Sequence, residues 1–200
     1  MCCGGCAKCI GVTLIPLAVL CTLANILLFF PGGTPVSWEN ITDEVRLFGG
    51  ILGSGVLMVF PVLVFLGLKN NDCCGCCGNE SCGKRFAMFT SIIFAAVGIV
   101  GAGYSFIVSA VALKRGPKCE FVNNTITEWK YPFDNGNHDM RNDCPSPNHI
   151  VPWNFTLFSL LLIMSGSQMV LCAIQAINGL FGTLCGDCKS CGCCGGDGAV

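Results

Sequence analysis

The stretch FAMFTSIIFAAVGIVGAGYSFIVSAVAL, residues 86–113, decides the fold. It contains no Asp, Glu, Lys, Arg or His. About 20 apolar residues rising 1.5 Å each cross a hydrocarbon core of roughly 30 Å, so this stretch spans a bilayer with length left over for tilt. Three further charge-free runs read the same way: 10–30, 48–68 and the run from Val151 to Leu184. Pro152 suits the first turn of the fourth helix, where a missing N–H costs nothing. Pro16 and Pro61 lie inside the first two spans and predict local kinks.

The expected fold is an all-α membrane protein, a four-transmembrane-helix bundle with a short extracellular loop and a longer, disulfide-stapled one. Its segments are an N-terminus at 1–9, helices at 10–30, 48–68, 86–113 and 153–184, and outer loops at 31–47 and 114–152. A cysteine-rich loop at 69–85 and a Cys-rich tail at 185–200 complete the chain. The first run ends in Phe29-Phe30-Pro31 rather than a small-x-small cleavage site, and it lacks a strongly basic leader, so it reads as a retained signal-anchor helix.

Composition agrees with this reading. Hydrophobic residues make up 52% and charged residues 12% of the 200 residues, with a mean hydropathy of +0.66, whereas soluble proteins carry roughly 25% charged residues. The net charge of −1 and the scattered basic residues leave no footprint for nucleic acid.

Lys and Arg counts do not orient the bundle, since both sides carry similar numbers. Glycosylation acceptors do: the sequons at Asn40, Asn123 and Asn154 share one side, against Asn79 opposite. Cys119 and Cys144 are the only cysteines in the outer loops, an even pair flanking one loop, which an oxidising compartment would join. Such a bridge would contribute roughly 3.5 kcal/mol in the chain-entropy model. Both termini are then cytoplasmic in a multi-pass plasma-membrane protein, with endosomes a further location.

Three cysteine clusters fall beside the inner ends of the helices. They are Cys2, Cys3, Cys6 and Cys9; Cys73, Cys74, Cys76, Cys77 and Cys82; and Cys185, Cys188, Cys191, Cys193 and Cys194. Juxtamembrane thiols are the usual acceptors for reversible S-acylation. Four spans need no further anchor, so the consequence of acylation would be lateral: which lipids and proteins surround the chain. The rival chemistries are zinc binding, through the Cys3-x-x-Cys6-x-x-Cys9 and Cys185-x-x-Cys188-x-x-Cys191 spacings, and thiol redox catalysis at Cys185-Gly-Asp-Cys188. No folded knuckle or histidine ligand accompanies the spacings. The CxxC lies on the face opposite Cys119 and Cys144, so those pairs could not exchange electrons directly. No metal or other cofactor is expected, and His138 and His149 read as ordinary loop residues.

Within the spans the polar exceptions are Asn25, Gln168, Gln175 and Asn178. Gln168 and Gln175 are seven apart and share one helix face, with Asn178 adjoining at i,i+3. Such side chains bond between helices. Gly49-x-x-x-Gly53, Gly50-x-x-x-Ser54 and Gly98-x-x-x-Ala102 allow close backbone approach. Trp38, Trp129 and Trp153 are expected near the outer interface, and Tyr104 is expected to bond across helices. The absence of ionisable groups from the spans disfavours proton-coupled transport.

Several motifs carry a resemblance: Cys6-Ala-Lys-Cys9-Ile-Gly11, Ala24-Asn25-Ile-Leu-Leu28, Phe30-Pro-Gly32, Asp72-Cys-Cys-Gly-Cys-Cys-Gly78 and Cys82-Gly-Lys-Arg85. Gly116-Pro117 before Cys119, Val151-Pro-Trp-Asn154 and Leu184-Cys-Gly-Asp-Cys188 extend it. Together they resemble the L-six antigen family of four-span membrane proteins over nearly the whole chain. The stretch 120–148 aligns only loosely, around Trp129-Lys-Tyr131-Pro-Phe133. The chain departs from true tetraspanins, whose large outer loop carries a Cys-Cys-Gly motif, and from claudins, whose first outer loop carries a cysteine pair. The resemblance implies a non-enzymatic organiser that associates laterally with membrane lipids, integrins, growth-factor receptors, tetraspanins or a second copy of itself. It would regulate epithelial adhesion, migration and proliferation. The alternatives are a lipid or small-molecule sensor or carrier using the bundle interior, and a membrane thiol oxidoreductase.

Overall fold

The computed structural model describes residues 3–30, 41–68, 80–123, 126–131 and 150–185. Helix α1 (Cys3–Leu27) makes the first crossing. The second is composite: a short helix α2 (Asp43–Arg46), a π-helix (Gly49–Val56) and helix α3 (Leu57–Gly67). Helix α4 (Glu80–Arg115) follows, then an antiparallel hairpin of β1 (Cys119–Asn123) and β2 (Ile126–Lys130), and finally α5 (Ile150–Cys185). Four of these stretches are long and apolar enough to cross a membrane: Cys6–Leu27, Asp43–Gly67, Phe86–Arg115 and Ile150–Leu184. The expected helical bundle is the observed one. The hairpin, with Cys119 opposite Lys130 and Glu120 opposite Trp129, is the one addition to it among the described residues.

Leu27, Asp43, Arg115 and Ile150 lie together at what is here termed the hairpin end, tied there by bonds described below. Gly67, Glu80 and Cys185 lie at the opposite, terminal end. Helices α4 and α5 form the most extensive pair, and α1 packs on α5, α3 and the π-helix. Two apolar clusters fill the interior. Towards the hairpin end, Cys21, Ala24, Leu28, Val45, Ala112, Phe158 and Leu161 pack together. Deeper, Ile10, Leu14, Met58, Val62, Phe65, Ala95, Ala102 and Cys172 form the second. Ser54 and Gln168 fall between the two in both helices that carry them.

The second crossing shows why a sequence can be helical and still irregular. Gly49, Gly50, Gly53 and Gly55 crowd eight residues with little side chain, so the backbone widens to i→i+5 hydrogen bonding without steric penalty. Phe48 starts this segment at φ 50° and ψ 34°, in the left-handed region. It is the one non-glycine residue with positive φ among the described residues, a conformation that costs about 1–2 kcal/mol. Its ring packs against Phe29 with centroids 5.4 Å apart. Helices α1 and α3 continue through Pro16 and Pro61. The irregular backbone of this crossing lies upstream of Pro61, in the glycine segment.

Candidate functional site

The polar side chains singled out in the spans all turn inward. Gln168 and Gln175 are fully buried, and Asn25 and Asn178 are 1% exposed. Gln168 Nε2 donates to the backbone carbonyl of Ser54 in the π-helix at 3.1 Å, joining α5 to the second crossing. Asn178 Nδ2 donates to Gln175 Oε1 at 3.4 Å. Asn154, Leu161, Gln168 and Gln175 recur every seven residues along the buried side of α5, the spacing of a bundle seam. The opposite sides are apolar and outward, with Val19 and Leu23 on α1, Leu63 on α3, Val100 and Ile107 on α4, and Ile163 on α5. A lipid or a neighbouring membrane protein therefore meets hydrocarbon along all four crossings.

Small residues set how closely the crossings approach. A Cβ on Gly53 would strike the carbonyl oxygen of Gly101, and one on Gly101 would lie 2.7 Å from the carbonyl oxygen of Gly53. The contact is reciprocal and backbone to backbone. A Cβ added at Gly49 would lie 3.2 Å from Val108 Cβ, and one at Gly98 would lie 2.7 Å from Cys172 Sγ and 3.2 Å from Pro61 Cγ. A Cβ added at Gly50 would lie 2.8 Å from each of Asn25 Cβ, the Cys21 carbonyl oxygen and Leu161 Cδ2. Gly49, Gly53 and Gly98 each lie against a neighbouring crossing, and Gly101, which faces Gly53 directly, lies outside the Gly98-x-x-x-Ala102 frame.

At the hairpin end, polar contacts lock α2 to the segment that follows α4. Lys118 Nζ lies 2.9 Å from Asp43 Oδ1 and 5.5 Å from the centroid of the Tyr131 ring. The Tyr131 hydroxyl donates to Asp43 Oδ2 at 3.0 Å, and the Asp43 backbone N–H donates to the Tyr131 oxygen at 3.2 Å. Burial pushes the Tyr131 phenol up, against the opposing pull of the Asp43 N–H, so it stays a neutral donor. Arg115 Nη1 pairs with Glu44 Oε1 at 3.3 Å, and Glu44 is only 3% exposed. Tyr104 donates to the Leu47 carbonyl at 2.9 Å, the cross-helix bond expected of it. Trp153 Nε1 donates to the Leu27 carbonyl at 3.1 Å, tying α5 to the end of α1.

Of the acylation candidates, Cys9 is exposed and Cys6 half-buried on α1, both as free thiols. Cys3 and Cys82 fall within α1 and α4, and Cys185 closes α5. Cys2, Cys73, Cys74, Cys76, Cys77, Cys188, Cys191, Cys193 and Cys194 lie outside the described residues. Two thiols the sequence reading passed over, Cys21 and Cys172, are fully buried inside the bundle. Among the described residues no three His, Cys, Asp or Glu side chains gather as a metal site.

Cys119 is buried and disulfide-bonded; Cys144, the partner expected for it, lies outside the described residues, as do Asn40, Trp38, His138 and His149. Asn123 ends β1. Asn154 is 4% exposed and its Nδ2 donates to the Ile150 carbonyl at 3.1 Å, so the folded bundle presents that amide no free face for a glycan.

Four apolar crossings, a polar seam turned inward and a knitted hairpin end define a multi-pass four-helix membrane protein. The chain belongs to the L6 membrane protein family, whose model matches residues 1–189. It is 68% identical to Transmembrane 4 L6 family member 4 of Rattus norvegicus, the alignment covering 98% of each chain. It is 65% identical to the Homo sapiens protein of that name over the full length of both, and these relatives are the intestine and liver tetraspan membrane protein. Transmembrane 4 L6 family member 1 of Homo sapiens is 48% identical over 95% of this chain and 96% of its own. No solved structure matches.

Proposed function

We propose that the protein is a non-enzymatic organiser of the tetraspan type, which associates laterally with adhesion and growth-factor receptors and so regulates epithelial adhesion, migration and proliferation. The observation that carries this reading is the division of its surfaces. The amide side chains of the spans, Asn25, Gln168, Gln175 and Asn178, are buried within the bundle, while bulky apolar side chains line the outward faces. Without hydrophobic drive inside a bilayer, such faces associate by van der Waals fit and through the lipids they recruit. The names of its relatives describe membrane proteins and carry no catalytic activity.

In this reading the hairpin end lies outside the cell, the termini lie in the cytoplasm, and Cys119 pairs with Cys144. Glycans attach at Asn40 and Asn123, which Asn154 is too buried to join. The clustered cysteines at the terminal end carry acyl chains, and the exposed thiol of Cys9 is the described position best suited to one.

Serine substitution of every clustered cysteine tests both halves of this proposal. The variant is expected to insert and fold normally, to lose its thioester-linked mass tags after hydroxylamine cleavage, and to leave its receptor complexes in mild detergent. Unchanged co-purification with receptors would remove acylation from the account. A wild-type protein with no thioester and with thiols protected by zinc would replace acylation with metal binding.

A further inference from the structure

Towards the hairpin end a polar pair lies on the exposed surface of the bundle. The Tyr104 hydroxyl donates to the Leu47 carbonyl at 2.9 Å, and the two residues are 39% and 49% exposed. They sit at the edge of the hydrocarbon, because Arg46, with 41% of its side chain exposed, immediately precedes Leu47. Phe48, next in the chain, takes the left-handed conformation before the π-helix begins, and the Leu47 carbonyl takes its bond from a side chain of the neighbouring crossing.

With its proton committed, the phenol oxygen keeps a lone pair, and the carbonyl oxygen keeps its second one. The pair therefore offers two acceptors 2.9 Å apart and no donor. The bond from Trp153 Nε1 to the Leu27 carbonyl differs, since an indole donates only and leaves a single acceptor there.

Below the pair runs the seam between the second crossing and α4. A Cβ added at Gly53 would lie 3.2 Å from Tyr104 Cδ1, and one at Gly101 would lie 3.0 Å from Leu57 Cβ. Tyr104 and Leu57 thus flank the contact of the two glycines, and both reach the lipid. Val100, next to Gly101, is 69% exposed. The seam is apolar from Leu57 and Val100 up to the two oxygens.

This arrangement selects its occupant. A molecule lying here must bring a hydrogen-bond donor to the edge of the hydrocarbon and be apolar beneath it. A phosphodiester headgroup brings further acceptors, and flexible acyl chains lose rotamer freedom on a fixed surface. A sterol carries one hydroxyl donor at the end of a rigid apolar ring system.

We propose that the seam between the second crossing and α4 binds a membrane sterol, its hydroxyl donating to the Tyr104 and Leu47 oxygens and its rings lying on Leu57 and Val100. The inference is independent of the lateral-organiser reading.

Photolabelling of the full chain in lipid nanodiscs tests this, with a 3β-hydroxysterol carrying a diazirine on its rings as the probe. Adducts are expected on α4 around Val100 and at the start of α3 around Leu57. Excess unlabelled 3β-hydroxysterol is expected to displace the probe. The corresponding 3-ketone, which has no donor, is expected to compete roughly fivefold more weakly, the factor carried by one hydrogen bond. Val100→Trp fills the seam from a position that already faces lipid, so the fold is kept and the adducts are lost. Ile163→Trp, on the outward face of α5, leaves them unchanged. Equal competition by ketone and alcohol would overturn the proposal, as would adducts spread evenly over the outward faces of α1 and α5, or labelling that survives Val100→Trp. Displacement by a sphingolipid more readily than by the sterol would overturn it too, giving the two oxygens to an amide donor instead.

Discussion

Tyr131 and Asp43, 88 residues apart, exchange two hydrogen bonds: the phenol donates to Asp43 Oδ2 and the Asp43 backbone N–H donates back. Through this pair, and through Lys118 on the same carboxylate, the residue that follows β2 is fixed to the start of the second crossing. The described parts of the two loops at the hairpin end are therefore joined to each other.

Tyr131→Phe keeps the ring under Lys118 but removes both bonds to Asp43. A hydrogen bond of this kind contributes about 1 kcal/mol net, which for a chain of this size lowers the Tm by roughly 2–4 °C. Deuterium exchange is the sharper measurement: backbone amides of α2 and of residues 116–118 are expected to exchange faster, with α4 and α5 unchanged. Unaltered exchange in α2 would show that the ion pairs of Lys118 and Arg115 hold it without the phenol.

Arg115 and Glu44 form an unequal pair, the guanidinium half-exposed and the carboxylate 3% exposed. Arg115→Ala leaves the Glu44 charge buried without its partner, a loss of about 1–2 kcal/mol once the exposure of the arginine is discounted. Adding Glu44→Gln removes the stranded charge. The double variant is therefore expected to be more stable than Arg115→Ala alone in thermal unfolding, and a further loss of stability would contradict the pairing.

The glycines separate packing from propensity. In an isolated helix, replacing glycine by alanine stabilises by about 1 kcal/mol. At Gly53 and Gly101 the added carbon meets a facing carbonyl, and overpacking of this kind costs about 1–3 kcal/mol. Gly103 meets nothing closer than Met169 Sδ at 3.9 Å. Gly53→Ala and Gly101→Ala are expected to lower the Tm in detergent, and Gly103→Ala to leave it unchanged or raise it. A common sign for all three would refute the close approach of the second and third crossings.

The four crossings were legible because charge is excluded from hydrocarbon over some twenty residues, a signal that needs no tertiary knowledge. The inward face of α5 was legible for a related reason: Gln168 and Gln175, seven apart, share a side and must avoid lipid. The π-helix was not, since periodicity shows which residues are small or apolar but not which carbonyl each N–H selects. Gly49 and Gly53 marked the place without revealing its geometry. Gly101 escaped because α4 carries glycine at 98, 101 and 103, so spacing alone offers several frames and only the partner helix chooses among them. The links of Asp43 to Tyr131 and of Glu44 to Arg115 join residues more than seventy positions apart by single side-chain contacts, and nothing local encodes them. The hairpin β1–β2 sits in the longer outer loop, 114–152, although nothing in the sequence analysis pointed to its strands.

Photo-crosslinking within the membrane tests the central claim most directly. A diazirine amino acid placed at Leu63, Val100, Ile107 or Ile163, all more than 60% exposed on the outward faces, reports what lies beside the bundle in cells. The same probe at the fully buried Ala95 is the internal control. A lateral organiser is expected to give discrete protein adducts from at least one outward face and only intramolecular ones from position 95. Lipid adducts alone from every outward position would contradict it.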